Sequence, residues 1–185
     1  DGVSGIYVWG GQSELGAFPS SYIPTTTASA TRAADVLTVP VSGLTYPLSC
    51  YCEYELAALA GGTQTLFAPN NTLTDEARMM LGSDAKFSPT QRASGVNDGI
   101  STVSSASAVA VAYKAAARFS LNSVRGAQGG VLTSAEDTSA AAPATPNAIQ
   151  FGADYGPANP LFGYLRRVAI WPRALTDAQL QSVTT

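Results

Sequence analysis

Histidine is absent from this sequence, and the chain has only two cysteines, Cys50 and Cys52. A histidine-based catalytic triad is therefore excluded, and a cysteine nucleophile would lack the base that usually activates it. The two cysteines supply too few ligands for a structural zinc site, and no imidazole completes one. A phosphate-binding loop of the form G-x-x-x-x-G-K-[ST] is missing as well. These absences argue against an enzyme and predict that the chain needs no cofactor.

The spacing of the two cysteines bears on disulfides. In a strand, residues two apart lie on one face and are separated by roughly 6–7 Å along it. That geometry does not easily close a disulfide. We expect Cys50 and Cys52 to be free thiols in the core, and their spacing leaves the redox compartment open.

Charge is scarce: charged residues make up 12% of the chain, where about a quarter is usual. The ten basic residues form no cluster with interleaved aromatics, so we expect no nucleic-acid partner, which would need concentrated positive charge. No apolar run approaches the roughly 18 residues of a membrane span, which predicts no membrane insertion. The chain begins at Asp1 without a methionine, which indicates a processed product or an excised segment.

Short strand-like segments separated by turn residues dominate what is present. In residues 49–57, Cys50, Cys52, Tyr54 and Leu56 alternate with Tyr51, Glu53 and Glu55, the period-2 pattern of a half-buried strand. Other such segments are residues 2–9, 36–40, 63–68, 77–81, 86–93, 107–114, 117–122, 148–154 and 161–171. Turn signals lie between them, at residues 69–76, 96–99, 115–116 and 126–130. Strands and turns at this spacing predict an all-β sandwich or barrel.

The two ends of the chain depart from this pattern. Residues 17–35 carry two prolines and many hydroxyls, which predicts an extended connector and forbids a helix across it. Residues 176–183 predict one short helix. Thr176 is a good N-cap, and Gln179 lies at the spacing of a capping box.

Two stretches resemble known proteins. GYLRRVAIWPRALTDAQLQ, residues 163–181, resembles the closing signature of laminin-G-like, concanavalin A-like jelly rolls. Residues 5–25, together with TRAAD at 31–35, are similar to a run in bacteriophage and prophage proteins that closes one β-module before the next jelly roll begins. The resemblance implies an antiparallel two-sheet β-sandwich over residues 36–185, with one short C-terminal helix. It also implies an N-terminal strand and extended linker arm over residues 1–35.

The function implied by this resemblance is non-enzymatic. It is that of a phage virion module, exposed on the particle, which builds or decorates the particle or its appendages. Its partners would be other virion proteins or copies of itself. The arm would either add an edge strand to the sandwich or pair with a neighbouring subunit. Its candidate interface residues are Tyr7, Trp9, Phe18, Tyr22 and Ile23. The alternative is a host-surface glycan-binding module of a tail fibre or spike, and a glycan-cleaving enzyme is a remote third.

Three turns carry the residue types that sugar or calcium sites use. The candidate ligand-binding residues are Asp154, Tyr155 and Asn159, then Asn97 and Asp98, then Asn70 and Asn71. A sugar site combines an aromatic face with amide and carboxylate groups, and calcium prefers clustered oxygens. The same residue types are also ordinary turn residues, so a structural calcium ion is an option with no further support.

Charged and aromatic residues elsewhere have simpler interpretations. Glu53 and Glu55 have the separation of a glycosidase pair, but a solvated outer strand face explains them as well. Arg166 and Arg167 could contact an acidic glycan or a neighbouring subunit, and an exposed strand face is the plainer interpretation. Trp9 and Trp171 fit core or interface positions better than sugar platforms.

Overall fold

The computed structural model describes residues 5, 9–14, 22–30, 37–59, 61–100, 102–103, 105–156 and 158–185. For residues 98–100 it describes the backbone alone. The chain divides into two compact units, residues 1–35 and residues 36–185. Most of the strand predicted at residues 2–9 falls outside the described residues. The same is true of two candidate interface residues, Tyr7 and Phe18.

Eleven strands and one helix form the described part of the second unit. The strands are β1 (Leu37–Pro40), β2 (Leu48–Leu56), β3 (Gln64–Thr72), β4 (Asp75–Leu81), β5 (Thr90–Ala93), β6 (Val96–Ile100), β7 (Ala112–Ser120), β8 (Ser123–Gln128), β9 (Val131–Leu132), β10 (Ala148–Phe151) and β11 (Gly163–Trp171). The helix is α1 (Asp177–Thr184). In the described residues, no helix has the length and apolar content to cross a bilayer.

The strands form two antiparallel sheets. The six-stranded sheet has the order β1-β10-β3-β4-β5-β6, and the five-stranded sheet has the order β11-β2-β7-β8-β9. Their inner faces share one apolar core, to which β2, β7 and β8 contribute from one sheet and β3, β4 and β10 from the other. The predicted antiparallel two-sheet sandwich with a short C-terminal helix is confirmed.

The alternation predicted for β2 places its apolar face in this core. Cys50, Cys52, Tyr54 and Leu56 are fully buried there. Both cysteines are free, as expected. Burial raises the pKa of both thiols well above the ordinary cysteine value, so they stay protonated and act as small apolar side chains.

The turn predicted at residues 96–99 is wrong. The chain reverses at Ser94 and Gly95, whose φ angles are 49° and 83°. Positive φ at two successive residues is what a tight hairpin turn requires. Asn97 and Asp98 therefore lie in β6, where their backbones pair in register with Arg92 and Gln91 of β5.

Two further turns also lie elsewhere than predicted. In the segment 69–76, β3 continues to Thr72, so Asn70 and Asn71 are strand residues. Asn70 pairs in register with residues of both neighbouring strands, and this pairing overrides the turn preference of asparagine. The hairpin expected at residues 115–116 is instead the middle of β7, and the chain turns at Asn122, where φ is 55°.

Helix α1 begins as predicted. The Thr176 hydroxyl accepts a hydrogen bond from the Gln179 backbone N–H at 3.3 Å, and the Gln179 amide oxygen accepts one from the Thr176 N–H at 3.0 Å. This pair is a capping box. Leu180 of the helix is fully buried and packs with Ala116 and Ala127. The helix thus covers β7 and β8 on the outer face of the five-stranded sheet.

Candidate ligand-binding site

A row of polar side chains crosses the outer face of the six-stranded sheet. Asn70 of β3 pairs with Glu76 of β4, Glu76 pairs with Arg92 of β5, and Arg92 pairs with Asn97 of β6. Residues that pair directly across strands share a face of the sheet. Arg78 joins the same face because it lies two residues after Glu76. The residues between, such as Ala77, point into the core.

Arg78 is the centre of this group, and its side chain is nearly buried. Its Nη2 donates a hydrogen bond to Asn97 Oδ1 at 2.9 Å. Its Nη1 lies 3.4 Å from Asp154 Oδ2, and its Nε lies 3.5 Å from Glu76 Oε1. Three contacts from three separate segments fix the guanidinium in one orientation.

Glu76 is fully buried beneath the two arginines. Its Oε1 also lies 3.9 Å from Arg92 Nη1, and its Oε2 accepts a hydrogen bond from the Tyr155 backbone N–H at 3.5 Å. Burial is the main influence on its pKa, which is raised above the ordinary glutamate value, although Arg78 acts in the opposite direction. The two arginines therefore offset part of what burial costs the charged form of this carboxylate.

The segment between β10 and β11 brings Asp154 and Tyr155 onto this face. Asn159 has a φ of 48°, and its Nδ2 donates to Asp154 Oδ2 at 2.7 Å. The Asn159 carbonyl accepts from the Thr65 N–H of β3 at 2.8 Å, which fastens the segment to the sheet. Asp154 is buried, whereas Tyr155 remains 40% exposed at the rim.

Four buried atoms of this cluster form no hydrogen bond in the described part of the chain: Glu76 Oε1, Asp154 Oδ1, Arg78 Nε and Arg92 Nε. Glu76 Oε1 and Arg78 Nε nevertheless face each other as an ion pair. Two of the four atoms are acceptors and two are donors. Buried polar groups are normally paired, so each such atom calls for an explanation. These atoms lie too deep to touch a ligand, so they belong to the support beneath the exposed Tyr155 and Asn97.

The predicted ligand-binding residues are now placed. Asp154, Asn159 and Asn97 come from separate segments of the sequence but meet around Arg78, with Tyr155 beside them. Asn70 lies in the same cross-strand row.

Two of the predicted residues are elsewhere. Asn71 does not join the cluster, because its Nδ2 donates to the Thr145 carbonyl at 2.7 Å. Asp98 pairs in register with Gln91, and its side chain lies outside the described residues.

Sequence reasoning missed Glu76, Arg78 and Arg92. A signal was present, because Glu76 and Arg78 are opposite charges two residues apart in a strand and therefore share a face. Assigning residue 76 to a turn hid this spacing. Among the described residues, no group of three or more acidic or cysteine side chains is placed to hold a metal ion.

The acidic pair considered for glycan cleavage lies on the other sheet. Glu53 Oε1 accepts a hydrogen bond from the Tyr51 hydroxyl at 2.7 Å and lies 3.9 Å from Arg167 Nη1. Glu55 forms an ion pair with Arg166. Arg166 and Arg167 are exposed, so each acid faces an arginine across the strand pair.

No protein-family model matches the chain. No curated protein sequence matches it either. Solved structures do resemble it. The CBM40 carbohydrate-binding module of a Ruminococcus gnavus IT-sialidase, bound to α2,3-sialyllactose, has a TM-score of 0.64 and 15% identity, covering 76% of this chain and 84% of that one. A heptameric pentraxin from Limulus polyphemus has a TM-score of 0.60 and 12% identity, covering 83% and 84%.

A leech intramolecular trans-sialidase, complexed with 2,7-anhydro-Neu5Ac, has a TM-score of 0.58 and 15% identity. Here the match covers 80% of this chain and 27% of the larger enzyme. At such identities the likeness concerns the fold. The chain has the jelly-roll, concanavalin A-like sandwich that the sequence predicts.

Proposed function

We propose that this chain is a glycan-binding module that holds a sugar on the outer face of the six-stranded sheet without cleaving it. The observation that carries the proposal is the Arg78 cluster, in which a nearly buried guanidinium is held by Asp154, Asn97 and Glu76 beside the exposed ring of Tyr155. Sugar sites combine an aromatic face with fixed polar groups in the same way. The sialyllactose bound to the R. gnavus module supports this ligand class.

Burial divides the cluster into two roles. Glu76 and Asp154 are buried, so they act as positioning residues that hold the arginines. Tyr155 and Asn97 are exposed, and Arg92 is partly exposed, so these three contact the ligand. The ligand would meet side chains whose orientation is already fixed, which reduces the entropy lost on binding.

The charges of the cluster favour sugars that carry both hydroxyl and carboxylate groups. A guanidinium can bind a carboxylate with two parallel hydrogen bonds. The exposed side-chain amide of Asn97 bonds to hydroxyls instead. An acidic sugar with neighbouring hydroxyls uses both kinds of group, and sialylated glycans are the first of this class to test.

Replacing Tyr155 with alanine is expected to weaken glycan binding about tenfold, or ~1.4 kcal/mol, because the sugar loses the apolar ring it covers. A glycan array selects ligands, and calorimetric titration with 3′-sialyllactose and lactose measures the affinities. Analysis of the same samples for free sugar tests that no cleavage follows binding. Tyr164→Ala removes an exposed tyrosine from the other sheet and serves as the matched control. Equal affinities for both variants would contradict the proposed site.

An assembly role is the second candidate, and the arm favours it. Trp9 is 84% exposed and lies 5.1 Å from the ring of Tyr22, centroid to centroid. The Ile23 N–H donates to the Gln12 side chain at 2.7 Å, which orders this part of the arm. Exposed aromatic pairs are typical anchors of protein interfaces. The resemblance of residues 5–25 to phage proteins supports copies of the chain or other virion proteins as partners, with the protein exposed on a phage particle.

Under this second candidate, the protein forms oligomers whose population rises with concentration. Replacing both Trp9 and Tyr22 with serine is expected to leave monomers, because the interface loses its two aromatic anchors. Light scattering coupled to size-exclusion chromatography measures the mass. Leu121→Ser changes an exposed apolar residue of the sandwich and should leave the mass unaltered. An unmodified protein that stays monomeric at all concentrations would count against assembly through the arm.

A further inference from the structure

A groove of about 250 Å³ lies on the outer face of the five-stranded sheet. Tyr51 of β2, Ala169 and Trp171 of β11, and Val183 of α1 line it, and Arg167 lies at its rim. Ala169 pairs with Tyr51 in register, so a small side chain stands between larger ones and forms the floor. The volume is below the ~300–1,000 Å³ of pockets for drug-sized ligands. It suits a ligand about the size of one ring.

The walls of the groove are aromatic and fixed in place. The rings of Tyr51 and Trp171 meet edge to face, with centroids 6.4 Å apart. The Tyr51 hydroxyl donates to Glu53, and burial together with this bond raises the pKa of Tyr51 to about 12. The hydroxyl therefore stays protonated and keeps its hydrogen bond. Trp171 is only half-buried, so part of its indole is available to a ligand.

The rim is polar and balanced in charge. The Arg167 side chain is 71% exposed, and its Nη1 lies 3.9 Å from Glu53 Oε1. Among the described residues, both contacts of the Glu53 carboxylate are made by Oε1, so Oε2 is available to accept from a ligand. One exposed donor group and one acceptor next to aromatic rings match the hydroxyls and the apolar face of a neutral pyranose.

We propose that this groove is a second binding site, for a neutral pyranose residue of a glycan. It shares no residue with the Arg78 cluster and lies on the opposite sheet of the sandwich. The Arg167–Glu53 pair would bind hydroxyl groups, while Trp171 and Tyr51 contact the apolar ring face. A module with both sites would engage two glycan residues at once, on its two opposite faces.

Tryptophan fluorescence tests this site directly, because the chain has only two tryptophans. In a Trp9→Phe background, Trp171 is the sole tryptophan and reports on the groove. Titration with methyl galactoside, methyl glucoside, N-acetylglucosamine and lactose to about 10 mM would detect sites with a Kd near 1 mM. We expect a saturable change in emission with at least one of them. A flat response to all of them would overturn the proposal.

Matched variants separate the groove from the Arg78 cluster. Ala169→Leu fills the floor of the groove and should abolish the change in emission, and Val183→Phe fills it from the helix and should do the same. Arg167→Ala should weaken binding about tenfold, whereas Arg166→Ala, the neighbouring arginine outside the groove, should not.

Tyr155→Ala should leave the Trp171 response intact even though it weakens binding at the other face. Unchanged melting temperatures show that the variants fold. A response that survives both filling variants would place the sugar elsewhere and overturn the proposal.

Discussion

Replacing Gly163 with alanine is expected to lower the free energy of unfolding by at least about 3 kcal/mol. Gly163 begins β11, where it pairs with Leu56 of β2. A Cβ at this position would clash with the Glu55 carbonyl oxygen and lie 3.1 Å from Leu56 Cα. Both atoms belong to the backbone of a buried central strand, so neither can move without displacing β2. The alanine variant must open the β2–β11 pairing at this end.

Chemical denaturation measures this effect, and Gly62→Ala is the control. Gly62 has no atom within 4 Å of its ideal Cβ position, so its substitution should change stability by less than about 0.5 kcal/mol. We expect the Gly163→Ala variant to unfold at a lower denaturant concentration than the unmodified protein. The Gly62→Ala control should keep the unmodified midpoint. Similar midpoints for the two variants would contradict the steric account.

Replacing Arg118 with alanine is expected to lower the free energy of unfolding by about 2–3 kcal/mol. Arg118 lies on β7 and is buried. Its Nη2 contacts Glu136 at 2.8 Å, its Nη1 contacts Asp177 of α1 at 2.5 Å, and its Nε donates to Ser123 at 2.8 Å. Removing one partner of a wholly buried pair costs about 3–5 kcal/mol. The cost here is smaller because both acids are partly exposed to water.

The loss in free energy of unfolding caused by Arg118→Ala should depend on pH. Hydrogen bonds from Ser123 and then Arg118 hold the pKa of Glu136 below the ordinary glutamate value of 4.5. A carboxylate with a lowered pKa contributes stability that is complete above the unfolded-state value and disappears as the pH falls through the folded-state value. The penalty of Arg118→Ala should therefore shrink as the pH drops below 4.5. Glu76, whose pKa is raised, titrates in both proteins and cancels from the difference.

Denaturation curves at neutral and acidic pH measure this difference. Lys86→Ala removes an exposed ion pair with Asp84 and should cost no more than about 0.5 kcal/mol. A double-mutant cycle with Glu136→Ala isolates the pairwise energy. A penalty that does not change with pH would assign the loss to side-chain packing and contradict the electrostatic account.

How far the sequence predicts this fold differs between elements. The alternation in β2 and the capping box at Thr176 are local signals that their surroundings reinforce, and both predictions are confirmed. The segment around Ala115 and Ala116 was ambiguous because small residues suit turns and crowded strands alike. Its position between β2 and β8 decides the outcome, and that position depends on residues far away in the chain.

The candidate site was harder to predict for the same reason. Residue type singles out Asp154, Asn97 and Asn159, but nothing local indicates that they meet around one arginine. Their meeting depends on the strand order β10-β3-β4-β5-β6 and on its register. A shift of one residue would turn Arg78 into the core. Cross-strand register is set by the whole sheet, so single-strand patterns do not reveal it.

The strand order has a consequence for biosynthesis. β11, the last strand, pairs with β2, and β10 lies between β1 and β3, so both sheets join early and late parts of the chain. Neither sheet can be completed until residues 148–171 have emerged from the ribosome. Folding should therefore finish only after nearly the whole domain has been synthesised, and it should be slow because its contacts are non-local. A chain arrested before residue 163 would expose β2 as an unpaired edge, with the associated risk of aggregation.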